Sequence, residues 1–191
     1  MKRYLGLILM VLVLVSLFSM SALALTNSKL VAPKISKAPT IDGKLDDEAW
    51  KGVEPVDLAQ NNQGAKPGLK IQAWVAYDDE NLYIAFKNYK GKKDIVANFK
   101  IDGQSVFQDD SNEVFIDPAI DGKGVYYQFA VNSLGTRWHG IVPSSGGLVT
   151  FKQWEAKAAQ YDDHWIVEYK IPFSTIRQKT PAAGAKWGLN L

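Results

Sequence analysis

Acidic side chains are concentrated in the stretch VFQDDSNEVFIDP, residues 106–118, which contains Asp109, Asp110 and Glu113. The second half of this stretch alternates in polarity as a β-strand does, so Glu113 is predicted to lie on the face opposite Val114. Carboxylates beside a strand suit a solvated edge, a catalytic pair, a cation site or a face that binds a polar ligand. Which of these four roles applies depends on the strands that hold the stretch in place.

Those elements are predicted to be short strands. Residues 69–77 alternate in polarity, residues 78–81 form a turn, and residues 82–86 resume the alternation, which predicts a hairpin. Further predicted strands lie at residues 94–101, 125–131, 137–141, 148–151, 154–159 and 165–171, with single helical turns at 46–51 and 173–177. Many short strands at this spacing predict an all-β fold, an antiparallel β-sandwich of two packed, jelly-roll-like sheets.

The N-terminus has the pattern of a secretory signal peptide. A basic start precedes an apolar run, and the small residues Ala22 and Ala24 fit a cleavage site after Ala24. An uncleaved anchor is the alternative, but the apolar run is shorter than the ~20 residues of a spanning helix. The sequence therefore predicts a signal peptide at residues 1–24 and one secreted domain at residues 25–191, with no membrane partner after cleavage.

Composition narrows the classes of function. The formal net charge of +2 and the lack of a long basic run argue against a nucleic-acid partner. The chain has no cysteine, so an exported fold has to be stabilised by its core and not by disulfides. Neither a glycine-rich phosphate loop, nor a serine nucleophile elbow, nor a cluster with zinc-ligand spacing occurs in the sequence.

A series of segments resembles the family 9 carbohydrate-binding modules. In chain order the segments are PTIDGKLDDEAW, YDDENLYIAF, DDSNEVFIDP, YYQFAVNSLGT, WIVEYKIPFS and WGLN. The resemblance implies a β-sandwich of two antiparallel sheets that binds sugars or polysaccharide chain ends, with structural calcium in some members. It further implies non-catalytic binding of plant-type polysaccharides such as xylan or cellulose, and a partner glycoside hydrolase. The resemblance also leads us to expect that residues 25–191 lack the last closing strands of the family fold.

The resemblance also indicates candidate carbohydrate contacts. It assigns ligand binding to Glu113 and Asn132, and it places Phe107 where the family often has a clamping tryptophan. Gln128 and Trp138 are added as a neighbouring amide and a neighbouring aromatic platform. These residue types suit sugars, because aromatic rings cover apolar C–H faces while carboxylates and amides bond to pairs of hydroxyls.

The tryptophans are predicted to divide between the core and the surface. Trp50, Trp165 and Trp187 lie in apolar patterns, which predicts burial. Trp138 and Trp154 lie near predicted loops, where each could serve as a platform for a ligand.

Calcium has candidate ligands in two acidic segments. Asp42, Asp109 and Asp110 are the predicted ligands, since calcium takes six to eight oxygens from carboxylates and carbonyls. The motif IDGKLDDEAW fits equally well a turn at Asp42 followed by a helical turn capped by Asp46 or Asp47. Both interpretations stay open at the level of sequence.

Two rival functions can be stated in terms of named residues. A glycoside hydrolase would need two carboxylates about 5–10 Å apart, and Glu113 with Glu168 is the best pair. A haem-binding domain of related fold would need an axial methionine or histidine. All 3 methionines lie in the predicted signal peptide, which leaves only His139 and His164, and no haem is expected.

Overall fold

The computed structural model describes residues 29–58, 68–120, 126–142 and 152–191. The predicted signal peptide and the predicted strand at residues 148–151 therefore lie outside the described residues. Within the described ranges the chain forms nine strands: β1 Val56–Asp57, β2 Ile71–Tyr77, β3 Asn81–Asn88, β4 Ser111–Asp117, β5 Tyr126–Asn132, β6 Arg137–Val142, β7 Glu155–Gln160, β8 Trp165–Pro172 and β9 Gly188–Asn190. Helical structure in these ranges consists of α1, Glu48–Lys51, and three 3₁₀ turns at Lys92–Asp94, Val106–Gln108 and Phe173–Ile176.

The strands form two antiparallel sheets. One sheet, here the back sheet, has the order β1-β2-β3-β8-β7, and the other, here the front sheet, has the order β6-β5-β4-β9. Every pair of neighbouring strands is antiparallel. The predicted all-β sandwich of two packed sheets is confirmed. In the ranges that the structure describes, no helix is long and apolar enough to cross a membrane.

The main core lies between the two sheets. It is formed by alternate side chains of both, including Val75, Ile84 and Phe86 from the back sheet and Val114, Ile116 and Phe129 from the front sheet. Trp154 joins this core at 1% exposure, with its ring stacked on Tyr169 and edge-on to Phe129. The prediction of Trp154 as an exposed platform is therefore wrong, because the side chain fills the space between the sheets.

A second, smaller core lies on the outer face of the back sheet. Residues 35–53, here the N-terminal cover, pack Ile41, Leu45 and Trp50 against this face, where they meet Tyr83 and Ala85. Trp50 is 3% exposed, as predicted for a core tryptophan. Trp165 is also buried, and Trp187 is partly buried against the main core. The cover makes the back sheet apolar on both of its faces over much of its area.

Most of the predicted strands are present, and one is not. The hairpin of β2 and β3 forms with Val75 opposite Ile84. Residues 94–101, predicted as a strand, form a 3₁₀ turn and a loop. The reason lies in the main-chain donors of Asn98 and Phe99, which bond to the carboxylate of Asp109 and not to a neighbouring strand.

Candidate functional site

The outer face of the front sheet brings several predicted site residues together. The register places Glu113 opposite Ala130, and Ala130 opposite Trp138, so these side chains form one row across three strands. In the next row Gln128 lies between Phe115 and Gly140. Val114 and Ile116 are fully buried in the core, while Glu113 is only half-buried, as the alternation predicts.

Trp138 and Phe107 form an aromatic platform on this face. Their ring centroids are 5.8 Å apart and their planes are nearly perpendicular, at 89°. Phe107 comes from the 3₁₀ turn before β4 and is 45% exposed. The Trp138 indole lies against Gly140, where an added Cβ would come within 2.7 Å of the ring. Glycine at position 140 thus allows the indole to lie along its own strand.

Glu113 and Gln128 form a polar pair next to the aromatic platform. The amide nitrogen of Gln128 donates a hydrogen bond of 2.6 Å to Oε2 of Glu113. Since a carboxylate accepts several hydrogen bonds, Glu113 keeps acceptor capacity for a ligand hydroxyl. This hydrogen bond fixes the orientation of both groups.

A second pair of aromatic residues on this face was not predicted as part of the site. Phe115 and Tyr126 lie edge to face with ring centroids 5.8 Å apart, and both are half-buried. The sequence carries a signal for them, because Phe115 alternates with Glu113, and Tyr126 alternates with Gln128. Their positions in the register place them on the same outer surface as the polar pair.

Asn132 lies on the same strand as Gln128, but its side chain is fully buried. Its amide nitrogen donates to the carbonyl of Phe99 at 2.8 Å and to Oδ2 of Asp109 at 2.9 Å. Its side-chain oxygen accepts from the N–H groups of Leu134 and Thr136. These bonds occupy the amide completely, so this geometry gives no support to a direct sugar contact by Asn132.

Asp109 holds the loop that carries Phe107. Its carboxylate accepts from the main-chain N–H groups of Asn98 and Phe99, at 2.8 Å and 3.0 Å, in addition to Asn132. Partial burial opposes the charged form, but these donors outweigh it and lower the pKa of Asp109 below its ordinary value. Asp109 and Asn132 together fix the conformation of the segment that leads into β4, and this segment carries Phe107.

The predicted calcium ligands are engaged in other contacts. Asp110 accepts from the Lys90 ammonium group at 2.9 Å and from the N–H of Val96. Asp42 accepts from the main chain and the ammonium group of Lys44. Within the described parts of the chain, no group of three or more acidic, histidine or cysteine side chains is arranged to hold a metal ion. Asp42, Asp109 and Asp110 do not fit a calcium site in this arrangement.

The opening motif is a turn followed by a short helix, as one of the two interpretations predicts. Asp47 occupies the N-cap position of α1, but its side chain makes no capping bond. The carboxylate instead accepts the N–H of Thr40 at 2.9 Å, which closes the loop ahead of the helix. The N-terminal cover is therefore stabilised by this loop bond more than by a helix cap.

Glu168 belongs to the back sheet and lies beneath the N-terminal cover, fully buried. Its carboxylate accepts from the N–H groups of Asp42 and Gly43, at 3.0 Å and 2.8 Å, and from the Trp50 indole at 2.8 Å. Burial raises its pKa, while these three donors act in the opposite direction. Burial outweighs these donors, so the pKa of Glu168 lies above its ordinary value.

The rival catalytic pair is not formed. Glu113 projects from the outer face of the front sheet and Glu168 from the outer face of the back sheet. Because packed sheets lie about 10 Å apart, the two carboxylates are separated by the whole core and cannot act on one glycosidic bond. The two histidines are engaged separately: Nδ1 of His139 accepts from the Trp154 indole, and the His164 ring stacks on Tyr161.

Comparisons with known proteins agree with this arrangement. Residues 41–191 match the family described as Carbohydrate family 9 binding domain-like. Endo-1,4-beta-xylanase A of Thermoanaerobacterium saccharolyticum is 29% identical in an alignment of 175 residues that covers 88% of this chain and 14% of that enzyme. The chain thus matches only a small part of the length of this curated relative.

Solved structures share the fold. A family 9 carbohydrate-binding module from Caldicellulosiruptor kristjanssonii in complex with cellotriose aligns with a TM-score of 0.60 and 22% identity, over 83% of this chain and 72% of that one. A family 9 carbohydrate-binding module from the same organism in complex with glucose gives a TM-score of 0.59 at 22% identity, over 82% of this chain and 74% of that one. The family match extends over most of the sequence, and the two-sheet fold agrees with it. The chain therefore belongs to the carbohydrate family 9 binding domain-like family.

Proposed function

We propose that this chain is a non-catalytic module that binds plant-type polysaccharide, such as xylan or cellulose, on the outer face of the front sheet. The observation that carries the proposal is the aromatic platform of Phe107 and Trp138 beside the polar pair of Glu113 and Gln128. Such a surface suits a sugar, because the rings cover C–H groups while the carboxylate and the amide bond to hydroxyls. The similar modules of known structure are complexes with cellotriose and glucose, which supports the same ligand class.

A role in targeting follows from this binding activity. We propose that the protein is exported and that it brings a glycoside hydrolase to its polysaccharide. The relative of 29% identity is a xylanase in which the matched region is 14% of the length, so a binding unit of this kind occurs there within a much larger enzyme. The signal-peptide pattern at residues 1–24 supports export.

Calorimetric titration of the full chain with xylohexaose and cellohexaose tests the binding proposal. We expect modest affinity, because an open surface leaves many sugar hydroxyls in water and orders few protein groups. Trp138→Ala should remove most of the binding heat, since it takes away the larger ring of the platform.

Tyr89→Ala is the matched control for this titration. Tyr89 is an aromatic residue that is 39% exposed, and its hydroxyl donates a hydrogen bond to Gln72 of the back sheet. We expect this variant to bind like the unmodified chain. Absence of binding heat with every glycan, or an equal loss in both variants, would contradict the proposal.

A further inference from the structure

Two asparagines lie on the core-facing side of their strands, where alternation otherwise places apolar side chains. Asn88 ends β3 on the same side as Phe86, and Asn112 lies in β4 on the same side as Val114. Both asparagines are buried, and their amides bond to each other: Nδ2 of Asn88 donates to Oδ1 of Asn112 at 2.8 Å, and Nδ2 of Asn112 donates back at 3.1 Å. The pair therefore joins the back sheet to the front sheet.

A second bond joins the sheets at the same residue of β4. The hydroxyl of Tyr169, a fully buried residue of β8, donates to the main-chain oxygen of Asn112 at 2.7 Å. Burial raises the pKa of this hydroxyl well above its ordinary value, and the negative charge of Glu113 raises it further. The hydroxyl is therefore protonated and acts as a donor, and it lies near enough to Glu113 to respond to its charge.

Asn88, Asn112 and Tyr169, here the inter-sheet clamp, differ in kind from the apolar contacts around them. Apolar packing has no preferred direction, whereas a hydrogen bond fixes both a distance and an angle. Just outside the clamp, the Lys90 ammonium group bonds to both carboxylate oxygens of Asp110 at 2.9 Å. Because a buried polar network with satisfied members holds one arrangement, the start of β4 is fixed against the back sheet.

Glu113 directly follows the clamp in the sequence, and its side chain leaves the opposite face of β4. The clamp fixes the main chain at this point, while the bond from Gln128 fixes the carboxylate. We infer that Asn88, Asn112 and Tyr169 are positioning residues, which raise the affinity for a glycan through Glu113 and do not touch the glycan. This inference rests on the proposed function and adds to it a set of side chains inside the core.

Tyr169→Phe tests the clamp with the smallest change. The variant loses one hydroxyl and keeps the ring that stacks on Trp154. The full chain is titrated with xylohexaose and cellohexaose by calorimetry. We expect about fivefold weaker binding, because the start of β4 loses a directional bond. The loss should be smaller than the tenfold or so expected for Glu113→Gln, since the carboxylate itself is still present.

Tyr83→Phe is the matched control. Tyr83 is also fully buried, and its hydroxyl donates a bond of 2.7 Å to Asp78, but it lies in the second core, under the N-terminal cover. Each variant should lower the melting temperature by about 3 °C. Tyr83→Phe should nevertheless bind glycans like the unmodified chain. An equal loss of affinity in the two variants would indicate a general loosening of the fold and would overturn the positioning role.

The Glu113→Gln background tests whether the clamp acts through Glu113. Effects of two residues that act through one another are not additive. In this background, Tyr169→Phe should therefore weaken binding by less than about twofold. A loss as large as in the unmodified background would overturn the inference, because the clamp would then act independently of Glu113.

Joint substitution of both asparagines, Asn88→Leu with Asn112→Leu, gives a separate readout. Leucine has the same branching as asparagine, and removal of both amides leaves neither one without its partner, so stability should change little. Binding should still weaken about fivefold, because the apolar contact does not fix a direction. If a melting curve shows that this variant does not fold, Tyr169→Phe carries the test.

The possible outcomes separate this inference from the proposed function. Unchanged affinity in Tyr169→Phe, or in the folded joint variant, would overturn the positioning role while the proposed function stands. Absence of binding by the unmodified chain to every glycan would overturn both.

Discussion

The outer faces of the two sheets carry the same kind of residue in opposite environments. Glu168 on β8 and Glu113 on β4 each point away from the main core. Glu168 lies under the N-terminal cover and is fully buried, whereas Glu113 is half-buried on a face that carries aromatic side chains. One glutamate is thus part of the scaffold, and the other is available for a ligand.

The packing of the N-terminal cover explains why the motif IDGKLDDEAW has a glycine at position 43. Gly43 has φ +86°, and an added Cβ would lie 2.7 Å from the main-chain nitrogen of Ala159. Glycine therefore lets the turn approach the back sheet closely enough for two N–H groups to reach Glu168. The close approach of this turn thus accounts for the glycine of the motif.

Identical substitutions on the two faces give the sharpest contrast, with the larger effect at Glu168. In Glu168→Gln the side-chain amide must turn one N–H group toward a buried donor, and the negative charge that accepts from Trp50 is lost. We expect a decrease of about 3 kcal/mol in the free energy of unfolding. Thermal and denaturant unfolding measure it. Stability equal to that of the unmodified chain would show that the cover does not depend on this carboxylate.

Asn132→Ala tests whether Asn132, on the front sheet, stabilises the fold and does not contact the ligand directly. The substitution leaves the N–H groups of Leu134 and Thr136 without their acceptor and releases the loop held by Asp109. We expect a loss of about 2 kcal/mol in the free energy of unfolding, together with weaker glycan binding.

Asn98→Ala is the matched control, since its amide bonds to the same carboxylate at 3.4 Å from an exposed position. It should change stability little. If Asn132→Ala weakened binding but melted like the unmodified chain, the residue would be a direct ligand contact after all.

Glu113→Gln should affect binding and spare the fold. The variant keeps the shape of the side chain and removes its charge, so charge-assisted bonds to sugar hydroxyls become neutral ones. We expect about tenfold weaker binding of xylohexaose or cellohexaose, equivalent to about 1.4 kcal/mol. Calorimetry and a melting curve of the same sample check both halves of the prediction. A marked decrease in the melting temperature would assign Glu113 to the scaffold, like Glu168.

Removal of calcium is expected to have the smallest effect. Asp109 and Asp110 accept main-chain N–H groups and the Lys90 ammonium group, which leaves them poorly placed for a cation. The melting temperature should be the same with a chelator and with added calcium. An increase on addition of calcium would mean that these carboxylates rearrange around the ion, because a ligand of the folded state raises its stability by mass action.

Much of the front face could be predicted because its pattern is local. Polar and apolar alternation along β4 and β5 placed Glu113 and Gln128 outside the core, and a resemblance over several segments indicated the sandwich. The same local reasoning predicted a strand at residues 94–101, where the structure has a loop. Its main-chain donors at Asn98 and Phe99 bond to Asp109, which is 11 and 10 positions away, and no periodicity within the segment indicates that partner.

Trp154 and Asn132 show that sequence reasoning about the site has the same limit. Trp154 follows a predicted loop in the sequence, yet it fills the core against Tyr169. Asn132 lies at a position that the family resemblance assigned to the ligand, yet the neighbouring loop occupies its amide. Residue type and spacing suggested a ligand contact for each side chain, but they could not indicate that distant parts of the chain would bury it.

The sequence by itself determined which side of each strand faces the core, because successive side chains of a strand point to opposite faces. Applied to β4 and β8, this rule places Glu113 and Glu168 alike on outer faces. Only the tertiary structure decided which outer face is covered, since the groups that bury Glu168 come from residues up to 126 positions away in the chain. Burial depends on such distant partners, whereas alternation is a property of the strand alone. For this reason, the two glutamates look equivalent in the sequence and differ in the folded protein.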